Sequence, residues 1–115
     1  MHELAVTESI LEIALRHAKS AEARQVTALH LVIGDLASII DDSIQFYWDI
    51  IAKDTIAEGA QLIFHRVPIQ MQCLGCQGQF FPKDNDFTCP ACASIRVKIL
   101  SGEEFYLEAI DIQSP

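Results

Sequence analysis

The sequence predicts an α+β fold: a small mixed sheet covered by two helices, interrupted by a cysteine-bearing insertion. Three observations predict it. Apolar residues recur at helical spacing in two stretches, near 4–23 and 43–53. β-forming runs lie between and after them, and all four cysteines fall in one span, 73–92, that is short of large aliphatic residues.

From Leu4 to about Ala23, Val6, Ile10, Leu11, Ile13, Ala14, Leu15 and Ala18 form adjoining apolar faces of one helix. Glu8, Glu12, Arg16 and Lys19 lie mostly opposite, and Thr7 or an earlier residue opens the helix. Gln25 to Ile33 is rich in β-formers and stops at Gly34-Asp35, so it reads as a strand. Asp41-Asp42 offers an N-cap for a helix from Ser43 to about Lys53, in which Ile44, Trp48 and Ile51 repeat at helical spacing. Glu58-Gly59 breaks that pattern, and Ala60 to Val67 reads as a second strand. After Pro68 the texture changes until Ser94. Ile95–Leu100 and Phe105–Ile112 then read as strands joined in a hairpin through Ser101-Gly102-Glu103. The expected division is one α+β domain, 1–68 plus 96–115, and an inserted module, 69–95.

Composition narrows the function classes. With 115 residues and 50% hydrophobic content the chain can bury a core. A formal charge of −8 and a pI near 4.7 argue against a nucleic-acid binder, which needs a basic stripe. Glu8, Glu12, Arg16 and His17 interrupt the first apolar stretch, so it does not read as a signal peptide. No run reaches the roughly 18 apolar residues of a membrane span. The expectation is a soluble, cytoplasmic protein without membrane or nucleic-acid partners. In that compartment cysteine spacing is read first as metal chemistry.

Cys73-Leu74-Gly75-Cys76 and Cys89-Pro90-Ala91-Cys92 are paired C-x2-C knuckles separated by twelve residues. Four thiolates at this spacing can converge tetrahedrally about 2.3 Å from one ion, leaving no position for water. A closed, structural zinc site is the leading reading. Two disulfides, a thioredoxin-like redox pair and a rubredoxin-like iron site are the competing ones.

The amino terminus carries a second candidate. The Met1 amine, the His2 imidazole and the intervening amide offer fused nitrogen chelate rings, and Glu3 adds an oxygen or a further amide. Such a set suits Ni(II) or Cu(II) and is poor for Mg(II) or Ca(II). A solvated terminal histidine and a helix-start acid explain the same residues without metal. His17 reads as a helix-end cation, His30 as a packed or edge strand residue, and His65 as the solvent side of a strand. None of the three has a partner at metal-ligand spacing. No phosphate loop, nucleophile motif or acid/base pair emerges, so the chain is not expected to be an enzyme.

A short acidic chain beginning Met1-His2-Glu3, with paired knuckles past its middle, resembles the hydrogenase nickel-incorporation proteins of the HypA/HybF family. The resemblance covers essentially the whole chain. It includes Ile33-Gly34, the aromatic second helix (Phe46 to Ile51), Gly59-Ala60-x-Leu62, Val67-Pro68, both knuckles and Ser101-Gly102-x-Glu104. It implies an α+β nickel-binding domain with a zinc-binding domain. It also implies a metallochaperone that carries Ni(II) as cargo to the large subunit of [NiFe]-hydrogenase, with the GTPase HypB as partner. By position, His2 is the implied nickel ligand, supported by the Met1 amine and Glu3; Glu3 is also implicated in partner contact or nickel selectivity. Cys73, Cys76, Cys89 and Cys92 match the zinc ligands. Some family members place histidines beside the knuckles. Here Gln72, Gln77, Thr88 and Ala93 flank them, which puts direct histidine coupling of the two sites in doubt. The alternative function is a zinc-ribbon interaction module without a nickel role. Monomer and homodimer both fit the sequence.

Overall fold

A computed structural model describes residues 3–84 and 86–114. The element order is α1 (Glu3–Ser20), β1 (Gln25–Gly34), α2 (Asp41–Ile51), β2 (Gln61–Val67), β3 (Gln70–Cys73), β4 (Gln79–Phe80), β5 (Val97–Ser101) and β6 (Phe105–Gln113). The expected α+β class is what the chain adopts. The strands form two three-stranded sheets, ordered β2-β1-β6 and β4-β3-β5.

By contacts the chain divides into two compact units. One comprises 1–32, 38–65 and 106–115; the other comprises 33–37 and 66–105. In the first unit α1 and α2 pack together. The α1 residues Thr7, Ile10, Ala14 and Ala18 are buried at i, i+3, i+7 and i+11, the stripe that 3.6 residues per turn produces. Thr7 does not cap the helix; it lies inside it and donates its hydroxyl to Glu3 O. Ile44 and Trp48 of α2 are buried as well, as are Val26, Leu29 and Leu31 of β1. β1 is the central strand and is buried along most of its length, as a strand with a neighbour on each side requires.

α2 begins two residues before the expected Ser43. Ile40, not Asp41 or Asp42, occupies the N-cap position, with no side-chain cap. The two aspartates instead occupy the first turn, where the helix dipole favours negative charge. The N–H of Ile40 donates to Glu3 Oε2 at 3.2 Å, so a carboxylate from the start of α1 holds the chain entering α2.

β1 and β6 run antiparallel. Arg24 N donates to Gln113 O at 2.8 Å, and at the opposite end Gly34 N donates to Glu104 O at 2.7 Å. β2 lies on the other edge of β1 and is reached through α2. Asp35 N donates to Val67 O at 2.9 Å just past the carboxyl ends of both strands, so this pair is parallel, a βαβ connection.

The expected hairpin between the last two strands does not form. β5 pairs antiparallel with β3, placing Met71 opposite Ile99 and Cys73 opposite Val97, while β6 joins β1. The reason lies in the turn. Gly102 has φ +116°; its N–H donates to Glu104 Oε1 at 2.8 Å and its carbonyl accepts Leu36 N–H at 2.8 Å. The turn's polar groups therefore serve the segment after β1 rather than a hairpin ladder.

Within the second unit, Gly34 lies against this turn so closely that an added Cβ would stand 2.0 Å from Gly102 O. Gly34→Ala must separate two backbones, and is expected to destabilise the fold by about 3 kcal/mol or more, beyond the usual range for overpacking. Gly59→Ala is the matched control: its φ is +78° and its Cβ would meet nothing within 4 Å. Only left-handed backbone strain is added there, about 1–2 kcal/mol. Thermal unfolding followed by circular dichroism ranks the two.

Candidate metal centre

The four cysteines come together. Their sulfurs all lie within 4.8 Å of one another, with Cys73 and Cys89 buried and Cys76 and Cys92 exposed. Cys73 Sγ is 3.5 Å from Cys92 Sγ, and Cys76 Sγ is 3.7 Å from Cys89 Sγ. A tetrahedral ion about 2.3 Å from four sulfurs separates them by about 3.8 Å, so the cluster has the dimensions of a tetrathiolate zinc site. No disulfide links the cysteines.

Both knuckles fold on one template. Cys73 N donates to Gly78 O (2.8 Å) and Gln77 N to Cys73 O (2.9 Å); Cys89 N donates to Ser94 O (2.9 Å) and Ala93 N to Cys89 O (2.9 Å). The residue after the second cysteine is left-handed in each, Gln77 at φ 66° and Ala93 at φ 61°. These turns aim backbone N–H groups at sulfur: Gly75 N and Cys76 N lie 3.3 and 3.5 Å from Cys73 Sγ. The first knuckle is held by the β3–β4 pairing, Met71 opposite Phe80 and Gln72 opposite Gln79. Leu74 N also donates to Arg96 O at 2.8 Å, just before β5. Before the second knuckle, Asp86 Oδ1 accepts Thr88 N–H at 3.0 Å, and this bond, with the Thr88 hydroxyl, holds the Asp86 carboxyl below its ordinary pKa.

The electrostatics favour a cation. The N–H of Cys76, with those of Gly75 and the neighbouring thiols, lowers the Cys73 pKa to about 6 against burial. Cys89 is lowered likewise, first by the N–H groups of Cys92 and Ala91. Cys92 receives the N–H of Ser94, yet the adjacent Cys73, Cys89 and Cys76 sulfurs together with burial push it up to about 12. Four sulfurs this close cannot all ionise unless a positive ion shares them. The residues present fit structural zinc. Cys73, Cys76, Cys89 and Cys92 would hold it, and it would supply a cross-link between two turns that lack a large apolar core.

The other candidates fall elsewhere. Met1 and His2 lie outside the described residues. Glu3 opens α1 and is bonded to Ile40 N. His17 is exposed in the last turn of α1, and His65 is exposed on β2, as expected. His30 is half-buried on the central strand, with His65 and Asp111 as neighbours. In the sequence these residues stand apart, since 35 and 81 positions separate His30 from His65 and Asp111. No local spacing signals the group.

Two outcomes follow for the cysteine site. Zinc uptake near pH 7 should release the Cys92 proton, whereas Cys73, at about 6, is already thiolate. Protons compete with the metal, so affinity falls as pH drops, and more steeply below about 6. Zinc transfer to a chromophoric chelator across pH measures this. Ala93→Gly relieves a left-handed alanine and is expected to stabilise the zinc-loaded protein by about 0.5–1 kcal/mol, read as a raised thermal midpoint.

The family described as hydrogenase/urease nickel incorporation, metallochaperone, hypA, matches residues 1–112. A hydrogenase maturation factor HypA from Dehalococcoides mccartyi strain 195 is 36% identical over 112 residues, covering 97% of this chain and 94% of that protein. Its namesake from Geobacter metallireducens is 39% identical over 114 residues, covering 98% and 100%. The solution structure of the Ni metallochaperone HypA from Helicobacter pylori covers 100% of both chains with TM-score 0.66 at 21% identity. A second HypA solution structure covers 100% of this chain and 98% of its own with TM-score 0.73 at 22% identity. The two solved structures share its fold, and the match across residues 1–112 places the chain in the HypA family of nickel-incorporation metallochaperones that serve hydrogenase maturation.

Proposed function

We propose that this protein binds Ni(II) at a free amino terminus and helps insert it into the large subunit of [NiFe]-hydrogenase, acting with the GTPase HypB in the cytoplasm. The observation that carries the reading is family membership over residues 1–112, a match that includes Met1, His2 and Glu3. Met1 supplies the amine, His2 the imidazole and the amide between them, and Glu3 an oxygen. The His2 imidazole selects for a borderline transition ion over a hard one.

The position of Glu3 supports this reading. It is the first residue of α1, and one of its oxygens accepts Ile40 N–H at 3.2 Å. Its second oxygen can serve a metal or a partner. Anchoring the residue next to His2 lowers the ordering cost of a short terminal chelate. A site made of so few side chains can be dismantled by protonation or by a competing partner, as a delivery site requires. The tetrathiolate zinc site has the opposite character, with no open position. Its role is to hold the surface through which the hydrogenase maturation machinery is met.

Calorimetric titration of tag-free, zinc-loaded protein tests the assignment. His2→Ala, or two residues added ahead of Met1, should each weaken the tightest Ni(II) binding at least a hundredfold. Binding unchanged in either variant overturns it. Glu3→Gln keeps an oxygen for Ile40 N–H and should leave thermal stability within about 0.5 kcal/mol. Glu3→Ala leaves that N–H without its partner and should cost about 1 kcal/mol.

A further inference from the structure

Three polar side chains from three strands stand in one row across the β2-β1-β6 sheet. His30 lies midway along β1, between the fully buried Leu29 and Leu31. Its Nε2 is 3.0 Å from Asp111 Oδ2 on β6, and its Nδ1 is 3.3 Å from His65 Nε2 on β2. The two rings are nearly parallel, 12° between planes with centroids 5.5 Å apart. Thr27 Oγ1 donates to the Asp111 carbonyl at 3.1 Å, which pins β6 beside β1 at this residue.

One constraint orders the protons. A carboxylate has none to give, so Nε2–H of His30 donates to Asp111. Neutral His30 then carries a bare Nδ1, which faces His65. This is how metal-ligating histidines are held: one ring nitrogen is committed to a carboxylate, and the other is left basic and oriented.

We propose that His30 Nδ1 and His65 Nε2 form a second metal site for an imidazole-favouring divalent transition ion, with Asp111 as the carboxylate that orients His30. Two nitrogens 3.3 Å apart subtend about 100° at an ion 2.1 Å from each, between the octahedral and tetrahedral angles. On binding, the proton on His65 Nε2 passes through solvent to its Nδ1, and His30 keeps its bond to Asp111. The row is open to water, which completes the coordination: the His30 side chain is 25% exposed, Asp111 is 57% exposed, and His65 is exposed. Imidazole nitrogens with water suit Ni(II), Cu(II) and Zn(II) rather than Mg(II) or Ca(II). The site uses no atom of residues 1–3 and does not depend on the terminal chelate.

The test uses zinc-loaded full-length protein carrying His2→Ala and a Gly-Ser extension ahead of Met1, so that the terminal chelate is removed. Ni(II) is titrated calorimetrically, and the imidazole ring resonances are followed by NMR. One binding event that first perturbs the His30 and His65 rings is expected. His65→Gln should abolish it, Asp111→Asn should weaken it about tenfold or more, and His17→Gln should leave it unchanged. Equal binding by this protein with His65 intact and with His65→Gln overturns the proposal, as does the absence of ring perturbation up to millimolar Ni(II). Because the terminal chelate is absent throughout, neither result bears on the terminal assignment.

Discussion

The close approach of Gly34 to Gly102 is the constraint on which the second unit depends. A methyl group on Gly34 would sit 2.0 Å from the carbonyl oxygen of Gly102. That contact lets Gly34 N–H reach Glu104 O and Leu36 N–H reach Gly102 O, at 2.7 and 2.8 Å. Asp35 N–H on Val67 O and the Ser101 hydroxyl on Pro68 O, both 2.9 Å, complete the junction. Ile33-Gly34, Val67-Pro68 and Ser101-Gly102-x-Glu104, three scattered stretches that resemble the HypA family, are therefore one place. Gly34 and Gly102 carry no side chain where the two backbones meet, and a larger group would hold their hydrogen-bonding partners apart.

The cysteine module uses a different device. Its two knuckles repeat the same pair of backbone hydrogen bonds and the same left-handed residue after the second cysteine. Sulfur separations of 3.5 and 3.7 Å place the thiolates where mutual repulsion would drive them apart without a cation. The metal thus takes the place of the apolar core that residues 69–95 lack. Met71, buried on β3 opposite the exposed Ile99 of β5, adds apolar burial beside it.

Together these features describe a nickel-incorporation metallochaperone whose two metal requirements oppose each other. A structural site must be closed and slow to exchange. A cargo site must be accessible and readily dismantled. Tetrahedral sulfur ligation meets the first need, and the nitrogen ligands proposed at the chain end and on the exposed sheet face would meet the second.

Much of this was legible in the residues alone. Helical spacing in 4–23 and 43–53, β-forming runs and paired C-x2-C knuckles determine two helices, the main strands and a tetrathiolate centre, because these depend on neighbours in sequence. The start of α2 was not legible, since the partner of Ile40 N–H is Glu3, 37 residues away. Nor was the destination of β5: the Ser101-Gly102-Glu103 turn suits a hairpin locally, but its polar groups are claimed by Leu36 and Glu104. The His65–His30–Asp111 row is the clearest such case. Three residues far apart in the chain become neighbours only when β2, β1 and β6 lie side by side. Sequence by itself determined what short-range periodicity and ligand spacing can encode. Tertiary structure alone decided which distant polar groups meet, because strand order places side chains together without leaving any spacing in the chain.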